Sequence, residues 1–238
     1  MFWPWQIISK FLSINFTHKL EFNCDHKKIL DEYYSMLKAK DVQNHPGTDH
    51  KGGWDVVSLY SQDGDSNSVF KKYDKDTIPT DIINFFPYTN SLIQNILNKY
   101  EFRPRRIRFS ILRENKKITW HKDWDESIEY GNCRLHLPLI INNNCWGKLS
   151  HQFYNWLPGE LWYGDYTFPH QVINNGNTDR VHLVLDFTNA QNLFNNDLVF
   201  IKDEQKRKRY KKIIIFLYNF FYYYPKRILN RLTINKLK

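Results

Sequence analysis

Two spacings of apolar residues divide this sequence. From Asp25 to Lys40, Ile29, Leu30, Tyr33, Tyr34 and Leu37 fall on one side of a helical period, and Leu92, Ile93, Ile96 and Leu97 do the same between Thr89 and Lys99. Both segments are predicted to be packed helices. From Arg105 onward the pattern shortens to alternating or apolar runs bounded by turn residues: IRFSIL, RLHLPLII, ELWYGDY, HQVIN and RVHLVLDF. That is strand patterning, at a spacing suited to a sandwich or barrel. Earlier, a polar loop over 41–53 leads into a short strand at Trp54–Tyr60, and SQDGDSNS at 61–68 forms a turn. The expected fold class is mainly β with flanking helices, its β-core occupying about 105–188. Around that core the chain divides into an apolar, aromatic N-terminal segment (1–20), a body (21–201) and a tail (202–238).

With 238 residues, 17% of them aromatic, the chain can close one compact domain over a sizeable core. A net charge of +9 would suggest a nucleic-acid partner if it were spread over the body. It is not: 12 basic and two acidic residues lie in 202–238, against 22 basic and 23 acidic in 1–201. A near-neutral body with a cationic tail argues against nucleic acid. Within the tail, IIIFLYNFFYYY (213–224) sits between basic clusters. Twelve residues span about 18 Å as a helix, short of a hydrocarbon core of about 30 Å. Two destinations fit such a segment. It can lie on an anionic membrane surface together with Phe2, Trp3 and Trp5, or pack against the β-core or a dimer partner. Cys24, Cys133 and Cys145 are odd in number and form no C-x-x-C pair, which points to a reducing compartment. The N-terminus lacks a basic region and a small-residue cleavage site, so a cytoplasmic location is expected, peripheral on a membrane if the tail binds one.

Chemistry-bearing residues concentrate in the β-region. In Trp120-His121-Lys122-Asp123, an extended backbone directs positions two apart to the same side, so the imidazole and the carboxylate can converge on one metal ion. His170 offers a second imidazole. Two histidines and one carboxylate with open positions match non-heme Fe(II) sites. The spacing H-x-D is common by itself, and a solvated histidine beside a turn aspartate is the ordinary alternative. His170 and Arg180 flank the turn 174–179, and a hairpin centred near Asn175 would set them face to face across an antiparallel pair. Arginine grips a carboxylate through two parallel hydrogen bonds; a surface ion pair between Arg180 and Asp179 is the alternative. On the strand 134–140, Arg134 and His136 share the face opposite Leu135 and Leu137. A buried arginine needs an anionic partner, which either a dianionic ligand or a structural carboxylate could supply. His182 faces the same side as Arg180, in a supporting or packing role, and Trp124 and Asp125 lie just beyond the metal-ligand motif.

Taken together, FSIL (109–112), WHKD (120–123), NCRLHL (132–137), GELW (159–162), H-x-V (170–172) and RVHLVLD (180–186) resemble the aspartyl/asparaginyl β-hydroxylase family of 2-oxoglutarate dioxygenases. The resemblance covers about 105–188. It implies a double-stranded β-helix, a cupin-like jelly roll of two facing sheets with iron in its open mouth. It implies His121, Asp123 and His170 as the Fe(II) ligands, Arg180 and Ser110 on the distal carboxylate of 2-oxoglutarate, and Arg134 and His136 near its metal-chelating end. The implied reaction hydroxylates a C–H bond while O2 oxidatively decarboxylates 2-oxoglutarate to succinate and CO2. The substrate is expected to be an Asp/Asn-like side chain, an amino acid or a lipid acyl chain, presented as a small molecule, peptide or lipid. A non-catalytic metal-binding module that docks on membrane or protein through the tail is the alternative.

Overall fold

A computed structural model describes residues 2–68, 77–195 and 197–235. Helix α1 (Pro4–Phe11) and strand β1 (Thr17–Leu20) precede α2 (His26–Leu37), β2 (Gln43–Asn44) and β3 (Trp54–Ser61). Strand β4 (Ile78–Pro79) and α3 (Pro87–Tyr100) lead to β5 (Arg103–Leu112), β6 (Lys116–His121) and β7 (Asn132–Ile140). After β8 (Cys145–Leu149) and β9 (Gln152–Tyr154) come β10 (Leu161–Gly164), β11 (His170–Asn174) and β12 (Arg180–Thr188). A helical run ends the chain: α4 (Leu198–Tyr218), a π-helical turn (Asn219–Tyr223) and α5 (Tyr224–Asn235).

Local chemistry sets the helix ends. Asp25 caps α2 by accepting from the backbone N–H groups of Lys27 and Lys28 at 3.1 and 3.4 Å. Pro87 opens α3, where a missing N–H costs nothing, and Glu101 stops it in the left-handed region at φ 56°.

Among the described residues, two antiparallel sheets form the jelly roll. The larger has the order β1-β10-β7-β12-β5-β3-β2, with β4 on β3, and the smaller runs β6-β11-β8-β9. Strands β3, β7 and β12 and most of β5 are buried on both faces, but the two faces differ in chemistry. The two-residue pleat turns Ile107, Phe109, Ile111, Leu135, Leu137, Leu183 and Leu185 outward, into one apolar cluster with Ile29, Tyr33 and Met36 of α2 and Ile93 and Ile96 of α3. Each such side chain contributes about 1.5–3 kcal/mol by leaving water. The alternate positions, Arg106, Arg108, Ser110, Arg134, His136 and Arg180, face the smaller sheet around a cavity. The apolar core therefore lies between helices and sheet, which leaves the inside of the sandwich free for polar groups.

The hairpin expected between His170 and Arg180 does not form. Strand β11 pairs with β6 and β8, whereas β12 pairs with β5 and β7. Residues 175–179 carry the chain from one sheet to the other. Asn174 organises the crossing: its Nδ2 donates to the carbonyls of Leu112, Arg113 and Thr178 at 3.0, 3.1 and 2.8 Å, and its Oδ1 accepts from the Gly176 N–H at 3.1 Å. Turn-forming residues specified a turn but not the partner of the strand that follows it.

The tail folds back onto the body. Ile214 and Tyr218 are buried in a second apolar cluster with Trp5, Phe16, Trp120 and Phe168. Trp5 stands edge-on to Tyr218 and Trp120 at centroid separations of 5.3 and 5.7 Å. Buried Arg207 donates to the Asn15 carbonyl at 2.9 Å and pairs with Asp165 at 3.4 Å. Packing against the core is thus realised for this face of the segment, while Phe216 and Phe220 on the other remain 63% and 60% exposed. No helix among the described residues is long and apolar enough to cross a membrane. The three cysteines are unpaired. Because Trp5 joins α1, α4 and β6, Trp5→Ala is expected to lower the unfolding free energy by about 3–5 kcal/mol in urea titrations; a loss under about 0.5 kcal/mol would mean that these elements share no core.

Candidate active site

Strands β6 and β11 are neighbours, and their register sets His121 opposite His170, with ring centroids 4.0 Å apart. The Nδ1 of each ring lies within hydrogen-bonding distance of a carbonyl two residues upstream, His121 on Thr119 at 2.8 Å and His170 on Phe168 at 2.9 Å. A carbonyl only accepts, so both Nδ1 atoms carry the proton and both Nε2 lone pairs are left for a metal. Asp123 follows just after β6, where its backbone N–H donates to the Tyr166 carbonyl at 2.9 Å. Arg134 Nη1 donates to its Oδ2. One potential ligand atom from each of His121, Asp123 and His170 lies within 4.8 Å of the others. Two imidazole nitrogens and a carboxylate oxygen suit Fe(II) with open positions.

Protonation states agree with that use. Burial, then the neighbouring His121, pushes His170 down to about 3, so it stays neutral. Burial alone would raise the Asp123 carboxyl, but Arg134 and the two imidazoles outweigh it and hold the group below the usual carboxylate range.

The larger sheet forms the opposite wall of a cavity of about 220 Å³. Arg180 is 4% exposed, and Asp179 pairs with Arg113 at 2.7 Å, so the surface ion pair between Arg180 and Asp179 is not made. Arg180 Nη2 instead donates to His182 Nδ1 at 3.0 Å, and no carboxylate among the described residues pairs with it. Burial, then the Arg180 charge, holds His182 and His136 well below the usual imidazole range, so neither adds a like charge beside it. Ser110, opposite His182 in register, accepts from Trp54 Nε1 at 2.9 Å, which frees its hydroxyl proton to donate elsewhere. The Nε2 of His136 is buried without a partner.

Arg134 has the structural carboxylate that the sequence left open. Its Nε and Nη2 donate to the two oxygens of Asp186 at 2.6 and 2.8 Å, and Arg106 donates to Asp186 Oδ2 at 3.1 Å. Asp186, with no exposure, is held down at about 2 by these guanidiniums against the opposing effect of burial. Arg108 stops 3.8 Å from Asp186, and its Nε and Nη1 make no hydrogen bond. Sequence reasoning missed Arg106, Arg108 and Asp186. The two-residue alternation Arg106-x-Arg108-x-Ser110 was a readable signal for the first two, since it puts them on the Ser110 face.

Asp186→Asn keeps the shape but removes the countercharge of two buried guanidiniums, and is expected to destabilise the protein by about 3–5 kcal/mol in urea unfolding. The buried histidines generate a pH dependence. His45 lies at about 3 and His151 at about 4, both mainly through burial, and His136 and His182 are also depressed. Below the unfolded value of about 6.5 the unfolded chain takes up protons that these rings refuse, so stability falls as pH drops toward the folded values. Glu126, raised to about 7 by burial and by Asp186, acts in the opposite sense between about 7 and 4.5. With the histidines in the majority, metal-free protein is expected to lose about 5 kcal/mol between pH 6.5 and 5 by chemical denaturation. Flat stability over that interval would mean that these rings are protonated in the folded protein.

The sequence matches the family model described as Aspartyl/Asparaginyl beta-hydroxylase over residues 23–190. A curated relative, L-proline cis-4-hydroxylase of Rhizobium meliloti (strain 1021), is 26% identical over 177 residues, which are 74% of this chain and 61% of that protein. The chain thus matches less than two thirds of that relative's length. Among solved structures, the α-ketoglutarate-dependent carbocyclase SnoK of nogalamycin biosynthesis has a TM-score of 0.51 at 7% identity, over 76% of this chain and 82% of its own. A prolyl hydroxylase from Trichoplax adhaerens, solved with a hypoxia-inducible-factor peptide, has a TM-score of 0.50 at 12% identity, over 81% and 94%. At such identities the structural likeness is one of fold, and it agrees with the jelly roll described above. Since the family match spans every strand of both sheets except β1 and includes every residue of the His-Asp-His cluster, the chain belongs to the aspartyl/asparaginyl β-hydroxylase family.

Proposed function

We propose that the chain is an Fe(II)- and 2-oxoglutarate-dependent dioxygenase that hydroxylates a carboxylate-bearing substrate. The observation that carries this reading is a buried guanidinium with no carboxylate partner, Arg180, in the same cavity as His121, Asp123 and His170. An uncompensated charge at that depth costs several kcal/mol unless an anion joins it. In this reading His121 and His170 bind iron through Nε2 and Asp123 through the oxygen not taken by Arg134. Arg180, oriented by His182, and Ser110 hold the distal carboxylate of 2-oxoglutarate, with His136 nearby. Arg134, engaged on both Asp186 and Asp123, sets the angle of the ligand carboxylate. When bound, iron with 2-oxoglutarate and O2 supplies the oxidation, yielding succinate, CO2 and a hydroxylated C–H bond. The protein orients the reactants and excludes water from the reacting face.

Arg108 supports the substrate class. Its Nε and Nη1 are buried in the cavity, 3.8 Å from Asp186 at the nearest and with no hydrogen-bond partner among the described residues, so an amino acid or an acidic side chain would be bound better there than an acyl chain. The named substrate of the Rhizobium relative, L-proline, is an amino acid. The outward-facing Phe216 and Phe220 of the tail are the surface through which peripheral contact with an anionic membrane would occur, which co-sedimentation with anionic vesicles tests.

Succinate formation is the direct assay, on protein reconstituted anaerobically with Fe(II) and then given O2 and 2-oxoglutarate. Wild type is expected to show slow substrate-free turnover, and His121→Ala and His170→Ala to lose it by about 100-fold or more. Arg180→Met is expected to weaken 2-oxoglutarate binding by about 100-fold while retaining the metal, the value of one doubly hydrogen-bonded charge pair. Failure of the wild type to bind either iron or 2-oxoglutarate would sink the proposal.

A further inference from the structure

The family match ends at residue 190, and the helices beyond it build a second cleft against the metal cavity. This cleft, of about 520 Å³, lies between the π turn with α5 and the end of β6. Asp49, His121, Lys122 and Trp124 line both spaces, so the two are neighbours across these residues, beside His121. The tail is fastened at that junction. Lys226 Nζ donates to Thr119 Oγ1 at 3.0 Å and to Asp49 Oδ1 at 3.3 Å, and Tyr218 Oη donates to the Trp120 carbonyl at 3.3 Å. Thr119 and Trp120 are the two residues before His121. The π turn widens the helix at this point, and its Asn219 and Tyr223 line the cleft.

The lining has a definite chemistry. It carries three cations, Lys122, Lys226 and Arg227, against one carboxylate, Asp49, which Lys226 already engages. Neither Lys122 nor Arg227 forms an ion pair among the described residues; Lys122 lies over the Trp124 ring, and Arg227 donates to Tyr223 Oη at 3.4 Å. The amides of Asn219 and Asn230 add donors and acceptors. An acyl chain would strip water from these groups without replacing its hydrogen bonds, whereas an extended backbone with acidic side chains would satisfy them. The cavity beside His121, at about 220 Å³, has to hold the co-substrate and the reacting group in this reading, so the rest of a longer substrate lies outside it, and the neighbouring cleft is the adjoining space.

We propose that this cleft is a recognition subsite for an acidic peptide segment adjoining the residue to be hydroxylated, with Arg227 its main specificity-determining cation. The proposal rests on the dioxygenase reading for the reaction but not for the binding, which needs neither iron nor 2-oxoglutarate. The test is fluorescence anisotropy on the full-length chain in EDTA, with labelled peptides of equal length rich in Glu, Gln or Lys. The Glu-rich peptide is expected to bind best, to weaken as salt rises, and to bind Arg227→Glu about tenfold or more weakly, with Arg227→Lys keeping most of the affinity. Arg227 is exposed, so its replacement does not threaten the core. Lys208→Glu makes the same change in sign on an exposed part of α4 outside the cleft, and is expected to have little effect. Equal binding of the three peptides, an undiminished affinity in Arg227→Glu, or an equal loss in Lys208→Glu would overturn the proposal, the last by tracing the attraction to the general charge of the tail. Peptide binding by a protein that binds neither iron nor 2-oxoglutarate would instead fault the dioxygenase reading and leave the subsite standing.

Discussion

The positive charge buried inside the sandwich is the constraint on which the rest of the structure depends. Arg106, Arg108, Arg134 and Arg180 lie on one face of the larger sheet, each less than a tenth exposed, and two buried carboxylates stand among them, Asp186 and Glu126. Charges at such depth are tolerated only when paired or aimed at a partner. Asp186 engages Arg106 and Arg134, and Arg134 then reaches across to Asp123 of the metal-ligand motif. The Asp123 carboxylate is thus held from a strand in the opposite sheet wall. Arg108 reaches Asp186 only at 3.8 Å, and Arg180 pairs with no carboxylate among the described residues; both line the cavity. Anions that enter the cavity meet the two guanidiniums that the protein leaves least compensated.

That arrangement requires the apolar core to be elsewhere. An antiparallel sandwich usually buries its hydrophobic residues between the sheets, but here α2 and α3 cover the outer face of the larger sheet and provide the main core. The site can be polar because its stability is supplied on the other side of the same strands. Positions such as Phe109 and Ser110, adjacent in sequence, belong to opposite worlds, one to folding and one to chemistry.

Much of this was legible because the strand period is two. Alternation in RLHLPLII and RVHLVLDF separated the two faces of each strand, and H-x-D with a distant histidine picked out three residues that the fold brings together. What escaped was information that is not local. The NNGNTD stretch predicts a turn equally well whether the next strand pairs with the last one or crosses to another sheet. Asp186 resembles any aspartate near a strand end until Arg106 and Arg134 are seen converging on it. The run 213–224 is apolar enough for a membrane surface or for a protein core, and only the position of Trp5 decided the matter for Tyr218. Strands β8 and β9 went unseen because Gly147 and Lys148 interrupt the apolar pattern of β8 and β9 has only three residues, and Gly147 is the point where the Tyr154 ring of β9 crosses the backbone too closely for any side chain.

The crossing from β11 to β12 has a meaning beyond topology. His170 closes one sheet's contribution and Arg180 opens the other's, with Asn174 clasping the five residues between β11 and β12 through hydrogen bonds to Leu112, Arg113 and Thr178. The chain therefore carries a calliper whose jaws are an imidazole and a guanidinium and whose setting is a loop length. Substitution on the jaws changes how tightly something is held. Insertion or deletion in the loop would shift the strand that carries one group against the strand that carries the other, so the span between imidazole and guanidinium depends on a count of backbone units as well as on side chains.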